Sequence, residues 1–146
     1  LALVFQSAID QFVTMTVASE IALSKKFSLQ ANYWTDDRVA AALEKLQLSD
    51  LQDHVVYQLS GGQQKKLQLL TMLIMGQPVL LLDEPLAGLD SASVNVLMTL
   101  LQETIQQTNQ TVLMISHQRQ GLTGFVDYEL HFADQQLTLI GGTQHV

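Results

Sequence analysis

The chain has 146 residues, 47% of them hydrophobic, with 14 acidic against 7 basic side chains and no cysteine. That composition suits a packed domain rather than a disordered chain, and its net charge of −7 argues against a nucleic-acid surface, which needs a basic patch. Without cysteine there are no disulfides, no thiolate zinc site and no thiol nucleophile, and no run nears the roughly 18 consecutive apolar residues of a membrane span.

In chain order, Leu1–Phe5 reads as a short strand ending at Gln6, and it lacks the basic region and the length of a signal peptide. Because the first residue is not Met, the chain is expected to be an interior or C-terminal portion of a longer protein. Phe12–Lys26 predicts a helix on Val13, Val17, Ile21 and Ala22. Thr35–Leu48 predicts another, with Asp36 and Asp37 in its first turn and Val39, Leu43 and Leu46 on one face. Ser49–Gln58 is a connector with room for one helical turn. Ser60–Met75 carries Leu67, Leu70, Leu73 and Ile74 at helical spacing and stops at Gly76-Gln77-Pro78. Val79–Leu82 has the aliphatic run of a strand buried on both faces. Ser91 predicts the N-cap of a helix to about Thr108, with Val94, Leu97, Met98 and Leu101 inward. Thr111–Ser116 reads as another buried strand. Tyr128–Phe132 and Leu137–Ile140 alternate around Asp134-Gln135-Gln136, as in a hairpin. The strand–helix–strand order after residue 78 implies a parallel α/β sheet, and the nearly all-helical stretch 12–77 reads as an inserted helical subdomain.

Two motifs carry chemistry. Asp83 and Glu84 close a buried strand at its carboxyl end, where α/β sheets place their ligands. Asp83 suits magnesium, held mostly through water, and Glu84 suits orienting or deprotonating an attacking water. The plain alternative is an acidic pair marking a strand end before the turn at Pro85. Ser60-Gly61-Gly62-Gln63 reads first as a capping box. Its glycines, its hydroxyl and the positive helix N-terminus also suit a phosphate. Lys65-Lys66 reads as a solvated helix face, and His54, His131 and His145 have no metal-ligand spacing. A Gly-x-x-x-x-Gly-Lys-Ser/Thr phosphate loop is missing, since none of the eight glycines is followed by lysine.

Leu59–Gln63, Val79–Pro85 and Leu89-Asp90 together resemble the ATP-binding-cassette (ABC) ATPases. Phe5-Gln6, Leu86–Asp90 and Ser116-His117 resemble that family's Q-loop, D-loop and switch histidine. The resemblance implies a P-loop NTPase (RecA-like) parallel-sheet core in residues 1–11 and 78–146, with the helical subdomain at about 12–77. It places the missing Walker A portion upstream of Leu1. It implies ATP and Mg2+ as cofactors, with Glu84 and His117 catalytic, and Asp83 together with Gln6 at the metal. Ser60, Gly61, Gly62 and Gln63 would contact the γ-phosphate of ATP held by a second subunit or domain, and Asp90 would act across that dimer interface. The implied partners are this second cassette and a transmembrane transporter subunit, with no nucleic acid and no membrane span of its own. The implied place is the cytoplasm, peripheral on the inner face of the cell membrane.

The segment Gln6–Val17 is similar to the Q-loop region of energy-coupling-factor importers, cobalt-type systems that take up vitamins and transition-metal ions. That points to ATP hydrolysis coupled to import, with this chain inactive alone. The rival readings are a soluble ABC ATPase of DNA repair or translation, and a truncated chain that only binds partners. After Gln63 the family often has arginine and small residues where this chain has Gln64-Lys65-Lys66-Leu67, and Gln118–Gly121 is also atypical.

Overall fold

The computed structural model describes residues 1–4, 7–117, 122, 124–133 and 135–142. Strands β1 (Ala2–Val4), β2 (Val79–Asp83) and β3 (Thr111–Ile115) form a parallel sheet in that order. The register sets Leu80 beside Ala2 and Val112, and Asp83 beside Ile115. Parallel neighbours require crossovers. Helix α4 (Ser91–Thr108) supplies the one between β2 and β3. Between β1 and β2 the chain runs through α1 (Val17–Lys26), α2 (Asp36–Lys45) and α3 (Gly61–Met75). Strands β4 (Tyr128–Ala133) and β5 (Gln136–Gly142) pair as the expected antiparallel hairpin, with a register shift at Glu129/Leu130. The parallel α/β sheet read from the element order is present.

Helix α3 is the spine of the molecule. Leu67, Leu69, Leu70, Leu73 and Ile74 are all buried, and each such side chain contributes about 1.5–3 kcal/mol on leaving water. Polar side chains tie neighbouring segments to the helix or its approach. Trp34 Nε1 donates to the Leu73 carbonyl at 2.9 Å, and Gln64 Nε2 donates to the Val56 carbonyl at 3.0 Å. Gly76 ends the helix in the left-handed region at φ 68°, a conformation glycine adopts without a Cβ penalty.

Four local expectations need correction. The first helix begins at Val17, not Phe12, because the Thr16 hydroxyl caps it in a reciprocal box with Ser19 and such local side-chain bonds compete with helix. Phe12 is buried, whereas Val13 and Met15 are 79% and 70% exposed. The buried Glu20 carboxylate holds this stretch, accepting from Thr14 N at 2.8 Å, Thr14 Oγ1 at 2.7 Å and Val13 N at 3.2 Å. The N-cap of α4 is Asp90, not Ser91, and accepts from Ser93 N at 2.7 Å. The connector holds two 3-10 turns, Ser49–Leu51 and Val56–Gln58. Finally, neither of the two strands expected to be buried, β2 and β3, is buried on both faces. Leu80 and Leu82 join the core, but Leu113 and Ile115 are 51% and 59% exposed. An aliphatic run satisfies either arrangement, so the pattern alone does not tell which face its neighbours cover.

Candidate functional site

The turn before α3 is built by its own side chains. Ser60 N donates to Gln63 Oε1 at 2.9 Å, and Gln63 N donates back to Ser60 Oγ at 3.3 Å. This is the capping box the sequence implied. It leaves the two glycines to be explained. A Cβ at Gly62 would touch Leu89 Cδ2 at 3.4 Å, an ordinary contact, and a Cβ at Gly61 would meet nothing within 4 Å. The chain's own packing therefore does not demand glycine at 61. At Gly61 the space beside the backbone is open, so an anion can approach the positive helix N-terminus closely there. Beside it lies a cavity of about 240 Å³, lined by Ser60, Gly62, Gln63, Lys66, Leu89 and Asp90, among others. The Asp90 carboxyl sits below the usual carboxylate range, first because the Ser93 backbone N–H bonds it and then because the Ser93 hydroxyl does.

The acidic pair sits elsewhere, at the end of β2. Asp83 is half-buried and lies in register with Ile115. Glu84 turns the chain out of the sheet at φ 48°, a left-handed conformation that is uncommon for a residue with a Cβ and frequent at functional sites. Four contacts hold it there. Its N–H donates to the Ile115 carbonyl at 2.9 Å. Its carbonyl accepts from Ala87 N at 3.2 Å and from Lys65 Nζ at 3.0 Å. Its Oε1 accepts from His117 N at 2.8 Å. The Glu84 side chain is 12% exposed, while that of His117 is 96% exposed with Nε2 3.8 Å from Glu84 Oε1. The fold thus brings His117, from the end of β3, onto the same carboxylate.

Lys65 is the residue that sequence reasoning missed. It was expected on a solvated face, yet it is only partly exposed and reaches the backbone of Glu84. Burial pushes its pKa down from 10.5, and the nearby Glu84 charge offsets part of that. No signal in the sequence marks it, because its partner is a main-chain carbonyl 19 residues away. Lys66 turns the other way, into the cavity with Asp90.

The structure therefore gathers the expected residues into two places. Ser60, Gly62, Gln63 and Asp90 share the cavity; Gly61, Asp83, Glu84 and His117 do not line it. Gln6 lies outside the described residues, as do Phe5 and Gln118–Gly121. Among the described residues no three acids or histidines cluster to hold a metal. A lone strand-end carboxylate such as Asp83 fits magnesium, which takes few protein ligands and fills its octahedron with water and phosphate oxygens. Among the same residues no helix is long and apolar enough to cross a membrane.

Comparison with known proteins gives one consistent picture. A family model described as ABC transporter matches residues 1–87. The chain is 31% identical, over 92% of its length and 58% of the relative, to the thiamine import ATP-binding protein ThiQ of Shigella flexneri. It is 36% identical, over 81% of its length and 48% of the relative, to the nickel import ATP-binding protein LarO of Lactiplantibacillus plantarum. Among solved structures it superposes, with a TM-score of 0.70 and 26% identity, on cbiO1 from Clostridium perfringens, part of the ABC transporter complex cbiONQ. That match covers 94% of this chain and 55% of cbiO1. The chain spans about half the length of these relatives. Its parallel α/β core has the P-loop NTPase fold of such ATPase domains.

Proposed function

The chain belongs to the ABC transporter family, and from that membership we propose that it is part of an ATP-hydrolysing subunit that drives import through separate membrane subunits. The observation that carries this reading is the arrangement of Glu84. A carboxylate at the end of a core strand is fixed by the His117 amide on one oxygen, beside a strand-end Asp83 suited to a cation. Phosphoryl transfer needs positioning and charge neutralisation more than covalent help. Bound ATP and magnesium supply the transferred group and the charge that balances it. Glu84 then orients the attacking water and takes up its proton. His117, exposed next to Glu84, reaches outward to the γ-phosphate. Ser60 and the Gly61-Gly62 amides bind the γ-phosphate of a nucleotide held by a second cassette, with Asp90 at the same interface.

The import direction is supported by relatives named for thiamine and nickel import. An energy-coupling-factor type importer of a vitamin or a transition-metal ion is the finer reading, supported by the Gln6–Val17 segment and by the likeness to cbiO1. In it the exposed Val13 and Met15 face the transmembrane coupling subunit on the cytoplasmic side. The phosphate loop must come from outside these 146 residues, so the chain alone is expected to turn over no ATP.

The test is ATP hydrolysis by the subunit that unites this chain with a phosphate loop. Glu84→Gln should lower kcat on the order of 100- to 10,000-fold while ATP still binds. Undiminished turnover in Glu84→Gln would falsify the assignment.

A further inference from the structure

We propose that Lys65 is a positioning residue for the catalytic carboxylate and ties it to the helix that carries the Ser60–Gln63 turn. The inference rests on the ATPase reading above and goes beyond it. Glu84 occupies a left-handed backbone conformation at φ 48°, which a residue with a Cβ keeps only where its surroundings impose it. Three of the four contacts that impose it come from nearby chain or from β3: Ala87 N, the Ile115 carbonyl and His117 N. The fourth, Lys65 Nζ at 3.0 Å from the Glu84 carbonyl, comes from α3.

Lys65 stands two residues after Gln63, in the second turn of a 15-residue helix whose first turn is locked by the Ser60–Gln63 box. A rigid helix transmits displacement of one end to its neighbours. An anion that engages Ser60 and the Gly61-Gly62 amides therefore acts on the same body that grips Glu84. The grip falls on the main-chain oxygen, so Lys65 does not take up the carboxylate oxygens, and Oε1 stays bonded to His117 N. A cationic donor to a carbonyl is stronger than a neutral one, and Lys65 is partly buried. A solvated surface lysine would have no reason to lose hydration in this way. In a dimer that shares its sites, Lys65 thus links the motif reading one nucleotide to the carboxylate acting on the other.

The experiment uses the subunit that unites this chain with a phosphate loop. Lys65→Met keeps the stem and removes the donor. It should lower kcat about tenfold, which corresponds to about 1.4 kcal/mol, with KM for ATP within a factor of about two and an unchanged melting temperature. Lys65→Arg should restore most of the rate. Co-expression separates positioning from damage to the helix itself. At the site it completes for a Gly61→Asp subunit, whose own Glu84 and Lys65 are intact, a Lys65→Met subunit should support the same activity as a Glu84→Gln subunit with Lys65 intact supports there. With a Glu84→Gln subunit it should give only the reduced rate. Unchanged kcat in Lys65→Met, or equal failure with both co-expressed partners, overturns the proposal. If Lys65→Met does not fold, Lys65→Ala, a good helix former, is read in the same way. An unsubstituted subunit that hydrolyses no ATP overturns the ATPase reading instead, and this inference with it.

Discussion

Two glycines at opposite ends of α3 should respond in opposite ways to the same substitution. Gly76 closes the helix at φ 68°, and a Cβ there would lie 2.4 Å from Gln30 Cγ, 2.9 Å from Gln30 Cβ and 3.2 Å from the Gln30 backbone nitrogen. These atoms are close to the main chain, so Gln30 cannot swing away cheaply. The left-handed conformation costs alanine about 1–2 kcal/mol, and the forced displacement adds roughly 1–3 kcal/mol. Gly76→Ala is therefore expected to destabilise by about 2–5 kcal/mol, a fall in Tm of roughly 5–15 °C for a domain of this size. At Gly61 a Cβ meets nothing within 4 Å, and alanine favours helix over glycine by up to about 1 kcal/mol. Gly61→Ala should leave Tm unchanged or slightly raised, while ATP turnover by the complete subunit falls about tenfold or more because a methyl group stands where a phosphate must approach. Thermal denaturation of this chain followed by circular dichroism reads the first quantity, and steady-state hydrolysis reads the second. If Gly61→Ala destabilises the fold as much as Gly76→Ala, then Gly61 serves internal packing and the case for an external anion at this turn fails.

Other outcomes follow from single contacts. Trp34→Phe keeps most of the apolar volume but strands the Leu73 carbonyl that Trp34 Nε1 serves at 2.9 Å; urea denaturation should show a loss of about 1–3 kcal/mol. Asp90→Ala removes the α4 cap bonded to Ser93 N and should lower Tm at neutral pH. Because the folded Asp90 carboxyl lies below its ordinary value of 3.8, its contribution is complete above that pH and is lost as pH falls through the lower folded value. The Tm gap between Asp90→Ala and the unsubstituted chain should therefore close in strong acid, and a gap that persists there would assign the effect to something other than the charged cap.

Much of this was readable from residue order. The α3 box was legible because Ser60 and Gln63 act on each other within one turn, and β2 because four aliphatics end at an acidic pair. The parallel sheet followed from strand–helix–strand order. What escaped depended on partners distant in sequence. Apolar spacing at Val13, Val17 and Ile21 mimicked a helix start, but the buried Glu20 carboxylate binds the amides of Val13 and Thr14, which lie outside the helix. Thr111–Ile115 has the composition of a fully buried strand, yet its exposure is decided by what lies across from it. Lys65 was indistinguishable from Lys66 in one dimension. Their opposite fates, one against Glu84 and one beside Asp90, depend on how α3 is rotated against the end of β2. The Asp83, Glu84 and His117 positions could be named from the motif, but the left-handed turn that presents Glu84 could not.

The central claim is that Ser60–Gln63 and Asp83-Glu84 serve different nucleotides in a two-subunit assembly. Co-expressing a Gly61→Asp subunit with a Glu84→Gln subunit tests it directly, since each is inactive with itself. In the mixed dimer one site pairs an intact Glu84 with an intact Ser60–Gln63 turn. With half the dimers mixed and one of two sites intact, about a quarter of the unsubstituted activity should return. No recovery in dimers verified to be mixed would mean that both motifs act on the same nucleotide, and would contradict the account.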